Sequence, residues 1–253
     1  MIRLSSLTLA AAVLVSAVSS HAAEKTLVAP PDMVPQQLFN GKTLEGWSGL
    51  PAHWKVEENA ITGYTTKYVP LKNNTFLVWT NGAVANFELH LKYKIVDGNS
   101  GIQYRSELKD PKEFIVGGYQ ADIDASPRYS GILYEERGRG ILADRGQQTM
   151  IKGVDGKTQV KVTATIAKPE ELQQFIKKED WNEYIIVARG NNVMHFINGH
   201  LMSNCVDLEE AKAPKKGVLA LQIHVGPPMR VQFKDILLYN LDAPAKPAKS
   251  SKK

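Results

Sequence analysis

The chain has 253 residues, 43% hydrophobic and 23% charged, which is apolar mass enough for one sizeable core and too little to require two. Its formal charge of +5 is carried by Arg3 and by four lysines in the last eleven residues, so the body between them is neutral and offers no electrostatic surface for nucleic acid. A single cysteine, Cys205, excludes an internal disulfide and reads as a buried, inert thiol.

In chain order, residues 1–22 carry Arg3, an apolar run from Leu7 to Val18 and the small-x-small end Ser20-His21-Ala22. This is the pattern of a secretory signal peptide, with an apolar run too short to span a bilayer, and it predicts a secreted or periplasmic protein without a transmembrane anchor. Residues 23–37 read as a lead-in and 38–242 as one β-rich domain. Phe87, Leu89, Leu91, Tyr93 and Ile95 alternate with Glu88, His90, Lys92 and Lys94, which predicts a strand with the first set inward. The stretch Val160 to Ile166 repeats the pattern, with Val160, Val162, Ala164 and Ile166 expected inward. Pro169 to Lys178 is the one helix candidate, with Pro169 suited to a first turn. Asn198-Gly199 marks a hairpin, and Val231 to Leu241 a last strand. Residues 243–253, rich in Pro, Ala, Lys and Ser, predict a disordered basic tail that solvates the chain or touches anionic surfaces. Many short strands separated by turn signals, with no repeat at solenoid period, point to a sandwich or barrel.

Three strands depart from a plain solvent face. Gln103, Arg105 and Glu107 alternate with Ile102 and Tyr104. Gln120, Asp122 and Asp124 alternate with Tyr119, Ala121 and Ile123. Gln222 and His224 alternate with Leu219, Leu221 and Ile223. Short-reach hydrogen-bonding groups in place of Lys, Glu and Thr suit a surface that takes sugar hydroxyls, with aromatic rings stacking on the apolar face of a pyranose. Arg105, Asp122 and His224 are expected on one concave face. A cross-strand pairing of Arg105 with Asp122 is the alternative reading of those two residues. The loop Gly138 to Gly146 lacks the phosphate-loop pattern, and Arg137, Arg139 and Arg145 read as braces at the sheet rim.

Leu38-Phe-Asn-Gly-Lys-Thr-Leu-Glu-Gly-Trp47, Trp54-Lys-Val, Gly98-Asn-Ser-Gly-Ile-Gln-Tyr-Arg105, Gly118-Tyr-Gln-Ala-Asp122, Trp181-Asn-Glu-Tyr184, His195-Phe-Ile-Asn-Gly199 and Leu221-Gln-Ile-His224 occur in that order. In these motifs the chain resembles the 3-keto-disaccharide hydrolase domain family over nearly all of its length after the leader. The resemblance implies an all-β, two-sheet antiparallel jelly-roll sandwich of the concanavalin-A-like kind, in an exported bacterial protein. Many members carry Glu where this chain has Gln120, and Gln where it has Asp122. An amide does not titrate near neutrality, so a proton-transfer role there passes to Asp122, Glu135 or His224.

The implied reaction starts from a ketone at C3 of a glucosyl ring, which acidifies the proton on C2. It needs a base at C2, a stabiliser for the enolate oxygen and an acid for the leaving oxygen. His224, Asp122, Glu135 and Tyr134 are the candidates for proton transfer, and His224 leads them as base. Arg105 is a candidate oxyanion stabiliser, with Asn99, Gln103, Gln120 and Gln222 as substrate-binding groups. A divalent metal is a possible cofactor, and His224, Asp122 and Glu135 form its candidate ligand set. Two other readings stay open: a non-catalytic carbohydrate-binding module on the same fold, and a structural envelope protein tethered by its tail.

Overall fold

A computed structural model describes residues 26–243. The predicted signal peptide and all but the first residue of the predicted tail lie outside the described residues. Two sheets pack face to face. The ten-stranded sheet runs in the order Lys157–Thr165, Gln147–Val154, His200–Asp207, Asn192–Ile197, Asn182–Arg189, Phe87–Asp97, Arg230–Asn240, Ala60–Tyr64 and Trp54–Glu57, with Gln36–Gln37 added to the Arg230–Asn240 strand. The seven-stranded sheet runs Gly140–Ala143, Leu133–Glu136, Ile115–Asp124, Asn99–Asp110, Val218–Ile223, Thr75–Trp79 and Trp47–Ser48. Pairing is antiparallel except between Gln147–Val154 and His200–Asp207. This is the all-β sandwich that the alternation predicts.

The core lies between the sheets. Phe87, Leu89, Leu91, Tyr93 and Ile95 from one side meet Ile102, Tyr104, Tyr119, Ile123, Leu219, Leu221 and Ile223 from the other. Each is the inward member of an alternating pair, so burial follows the period of two set by the pleat. His195 sits wholly inside this layer. The Tyr104 hydroxyl donates to its Nε2 at 2.8 Å, and its Nδ1 lies 3.2 Å from the Ile132 carbonyl. Burial lowers its pKa to about 3, so it is a neutral structural histidine. Cys205 is fully buried and burial raises its thiol to about 12, as an inert thiol requires.

The predicted hairpin forms at Asn198 and Gly199, both at positive φ, between Asn192–Ile197 and His200–Asp207. The helix is shorter than expected, Pro169–Gln173. Beyond it, Asn182 bonds both the N–H and the carbonyl of Lys177, each at 2.8 Å, and draws that segment onto the sheet. Two faces differ from the sequence pattern. Glu88 and His90, on the outward side of their strand, are buried because residues 27–29 fold over them. The Glu88 carboxylate accepts three successive backbone N–H groups, from Leu27, Val28 and Ala29, and sits 2.6 Å from His90. Burial alone would raise this carboxyl, but His90 and the three amides outweigh it and hold the pKa low. Val160 and Val162, expected inward, are 45% and 48% exposed, because Lys157–Thr165 is the edge strand of a hairpin that projects past the core.

Candidate active site

The outer face of the seven-stranded sheet holds the polar half of the three alternating strands. With Tyr119, Ala121 and Ile123 in the core, the pleat turns Gln120 and Asp122 outward, and it does the same for Gln222 and His224. Gln120 lies opposite Gln103 on one neighbouring strand and opposite Tyr134 on the other, so the side chains form a row across the sheet. Gly101 leaves room for it, since a Cβ there would stand 2.5 Å from Cγ of Gln120.

Above this row opens a cavity of about 870 Å³, lined by Asn74, Asn99, Gln120, Asp122, Tyr134, Glu136 and His224, with Tyr129, Asp97, Asp124, Lys178 and Glu179 among the remaining lining groups. A directed chain of hydrogen bonds runs beneath it. The Ser106 hydroxyl donates to Oε1 of Gln103 at 2.7 Å, Nε2 of Gln103 donates to Oε1 of Gln120 at 2.7 Å, and Nε2 of Gln120 donates to Asp122. Each link uses one end of an amide, so both glutamines are fixed in orientation. Gln103 and Gln222 lie under the cavity and support it. Gln222 donates to Glu136 at 3.4 Å, and Asn74 ties Glu136 at 3.2 Å to the backbone N–H of Val225 at 2.9 Å.

Asp122 is 5% exposed and makes no ion pair among the described residues. Burial raises its pKa to about 8. The Gln120 amide opposes the rise, the Asp124 carboxylate adds to it, the Asn99 side chain opposes it and the Glu136 carboxylate adds again. This carboxyl therefore keeps its proton at neutral pH. Burial, then the Glu136 and Asp122 carboxylates, push the Tyr134 phenol above its usual value. In His224, Nδ1 lies 2.5 Å from the Val225 carbonyl, a contact in which the ring nitrogen must donate. In the neutral ring Nε2 is then the lone-pair nitrogen, and it has no partner among the described residues. The cavity thus brings together an acid that holds a proton and an imidazole nitrogen that can take one.

The structure brings His224, Asp122, Tyr134, Asn99 and Gln120 to the cavity, with Gln103 and Gln222 beneath it. Arg105 does not join them. The strand Asn99–Asp110 carries one extra residue between Tyr104 and Glu107 relative to both neighbours, and Arg105 sits there at φ +49°. The bulge is accommodated by Gly118, whose Cβ would stand 2.5 Å from the Ser106 hydroxyl. It sends the guanidinium to the carbonyls of Ala85 and Gly190, at 2.6 and 2.7 Å, and to Asn86, so Arg105 pairs neither with Asp122 nor with a ligand in this cavity. Glu135 is also elsewhere. It points to the opposite side of its strand from Tyr134 and is held by Arg139 at 2.7 and 3.0 Å. The candidate metal set of His224, Asp122 and Glu135 is therefore not assembled, and among the described residues no group of three His, Cys, Asp or Glu side chains is placed to hold a metal. Sequence reasoning missed Glu136 and Asn74. For Glu136 the signal was present: it shares strand parity with Tyr134, whereas Glu135 does not.

A family model described as the 3-keto-alpha-glucoside-1,2-lyase-like domain matches residues 34–238. The chain belongs to that family. Among solved structures it is similar to two from Parabacteroides distasonis ATCC 8503, each named a "putative glycosyl hydrolase". One has a TM-score of 0.53 at 23% identity, over 83% of this chain and 94% of that one. The other has a TM-score of 0.54 at 20% identity, over 82% and 99%. A laminarinase from Flavobacterium sp. UMI-01 has a TM-score of 0.50 at 11% identity, over 82% and 99%. At these identities the likeness is one of fold. Comparison with curated proteins yields no significant match. In this chain the amide of Gln120 and the carboxyl of Asp122 are in mutual contact.

Proposed function

We propose that this protein cleaves 3-keto-glucosides by proton abstraction at C2 and elimination at C1, with His224 as base and Asp122 as acid. The observation that carries this reading is the pairing, in one cavity, of a buried carboxyl raised to about 8 with an imidazole whose Nε2 has no partner among the described residues. His224 Nε2 takes the proton from C2, and the C–H electron pair becomes the C2–C3 double bond of an enolate. As the enolate collapses to the ketone, its electrons form the C1–C2 double bond and the C1–O bond breaks. The departing oxygen takes the proton from Asp122. Addition of water across the C1–C2 bond then completes hydrolysis. A buried carboxyl that keeps its proton and, in the same cavity, an imidazole nitrogen with an open lone pair suit the two transfers. Tyr134, which lines the same cavity, donates to the enolate oxygen, a role for which Arg105 was the candidate. Asn74, Asn99, Gln120 and Glu136 take the ring hydroxyls. No helix of the described residues is long and apolar enough to cross a membrane, and the leader's composition supports export.

The test is initial rate on a 3-keto-glucoside and on its parent glucoside, for wild type, His224→Ala and Asp122→Asn. Turnover confined to the keto sugar and lost in both variants is the expected result. Equal rates on the two sugars would mean ordinary glycoside hydrolysis. Binding of both sugars without turnover would move the protein to the binding-module class.

A further inference from the structure

The charge around the cavity is one-sided. Asp97, Asp124, Glu136 and Glu179 line it, with the protonated Asp122 beneath them, against a single lysine, Lys178, which lies 3.6 Å from Glu179. Arg128, next to Tyr129 in the chain, stacks on that ring at 4.9 Å and is neutralised by both oxygens of Asp144, at 2.8 and 3.2 Å, and Arg230, opposite Asp97 in the sheet, turns to Glu57 at 2.7 Å and Glu58 at 3.6 Å. The acids are layered by depth. Asp122 and Glu136 are buried, Asp124 is half-buried, and Asp97 and Glu179 are exposed. Asp97 makes no hydrogen bond or ion pair with the described residues, and Asp124 is occupied by the backbone and hydroxyl of Ser126, which do not neutralise it. Tyr129, 40% exposed, adds a ring at the same mouth and already carries one cation on its face.

We propose that this cavity selects glycosides whose leaving group carries a positive charge, an amine held beyond the sugar ring, and rejects those carrying a carboxylate. The proposal rests on the reading of the cavity as the glycoside site. A glucosyl ring that reaches Asp122 and His224 occupies the deep part, so the leaving group lies toward the mouth, among Asp97, Asp124 and Glu179. Asp97, which has no counter-ion among the described residues, and the half-buried Asp124 beside it attract an ammonium and repel an anion there, and a partly exposed tyrosine favours the same charge. Discrimination against anions needs no contact beyond this uncompensated field.

The experiment uses three glucosides that differ only in the aglycone, 2-aminoethyl, 2-hydroxyethyl and carboxymethyl, each as the parent sugar and as its 3-keto form. Binding of the parent sugars is measured by calorimetry and turnover of the keto sugars by initial rate, at low and high salt. The expected result is a preference of about tenfold for aminoethyl over hydroxyethyl and a similar penalty for carboxymethyl, both shrinking at high salt. Asp97→Asn, alone and with Asp124→Asn, should bring the three affinities toward one another, and asparagine at 124 keeps the turn that the aspartate makes. Equal affinities for the three aglycones, a preference insensitive to salt and to Asp97→Asn, or no binding of any of them would overturn the proposal. Turnover of hydroxyethyl 3-keto-glucoside is read separately: its presence with no charge preference overturns only the selectivity, and its absence with a charge preference overturns only the chemistry.

Discussion

Two regions of this molecule bury carboxylates, and they do opposite things with them. At one end of the sandwich, Arg139 is 7% exposed and bonds Glu135, Asp207 at 2.6 Å and Glu209 at 3.2 Å, while the Tyr119 hydroxyl donates to Asp207. Burial alone would lower the Arg139 pKa, but its carboxylate partners, Glu135 and Asp207 first, outweigh that and hold it above its usual value. On the outer face of the seven-stranded sheet, Asp122 is as deeply buried, has an amide for a neighbour instead of a cation, and holds its proton up to about pH 8. The same residue type becomes a rivet where a counter-ion is supplied and a reactive acid where one is withheld.

The sharpest way to break this comparison is to remove the counter-ion. Arg139→Met leaves Glu135 and Asp207 buried and unpaired, and chemical denaturation should show a loss of about 3–5 kcal/mol. The folded fraction should keep its turnover, since Arg139 does not line the site cavity. An unchanged denaturation midpoint would mean that the network contributes nothing.

Next come the reactive groups. His224→Ala and Asp122→Asn should each lower turnover of a 3-keto-glucoside by roughly 10². The pH profile assigns the roles: with Asp122 as acid, kcat/KM falls above about pH 8 as the carboxyl loses its proton, whereas Asp122 as base makes it rise through the same range. Asp122 also costs stability. Its folded pKa lies above the ordinary 3.8, so the unfolded chain releases a proton that the native state keeps. The penalty grows as pH rises from about 4 to 8 and is constant beyond. Asp122→Asn should therefore be more stable than wild type by roughly 2–4 kcal/mol at pH 8 and by little at pH 4, measured by urea titration at both. The smallest effect belongs to the projecting hairpin, where Val160→Thr with Val162→Thr should change stability by less than about 0.5 kcal/mol.

What the chain's order of residues determined by itself is everything local. Alternation assigned the inward faces of Phe87–Asp97, Ile115–Asp124 and Val218–Ile223, and with them Gln120, Asp122, Gln222 and His224 to one outer surface, because a strand repeats every two residues whatever it packs against. Asn198-Gly199 set its hairpin for the same kind of reason, since those residues accept positive φ. The motifs placed the chain in its family. What only the tertiary structure decided is who neutralises whom. Arg139 finds Asp207 68 residues away, residues 27–29 cover Glu88 from about 60 away, and one extra residue beside Gly118 turns Arg105 toward Gly190, 85 away. The projecting hairpin leaves Val160 and Val162 in water although their alternation matches that of buried strands. Parity along a strand is a property of neighbours in sequence. Burial and counter-ions are supplied by elements that fold back from a distance, so the face of a side chain was legible and its charge state was not.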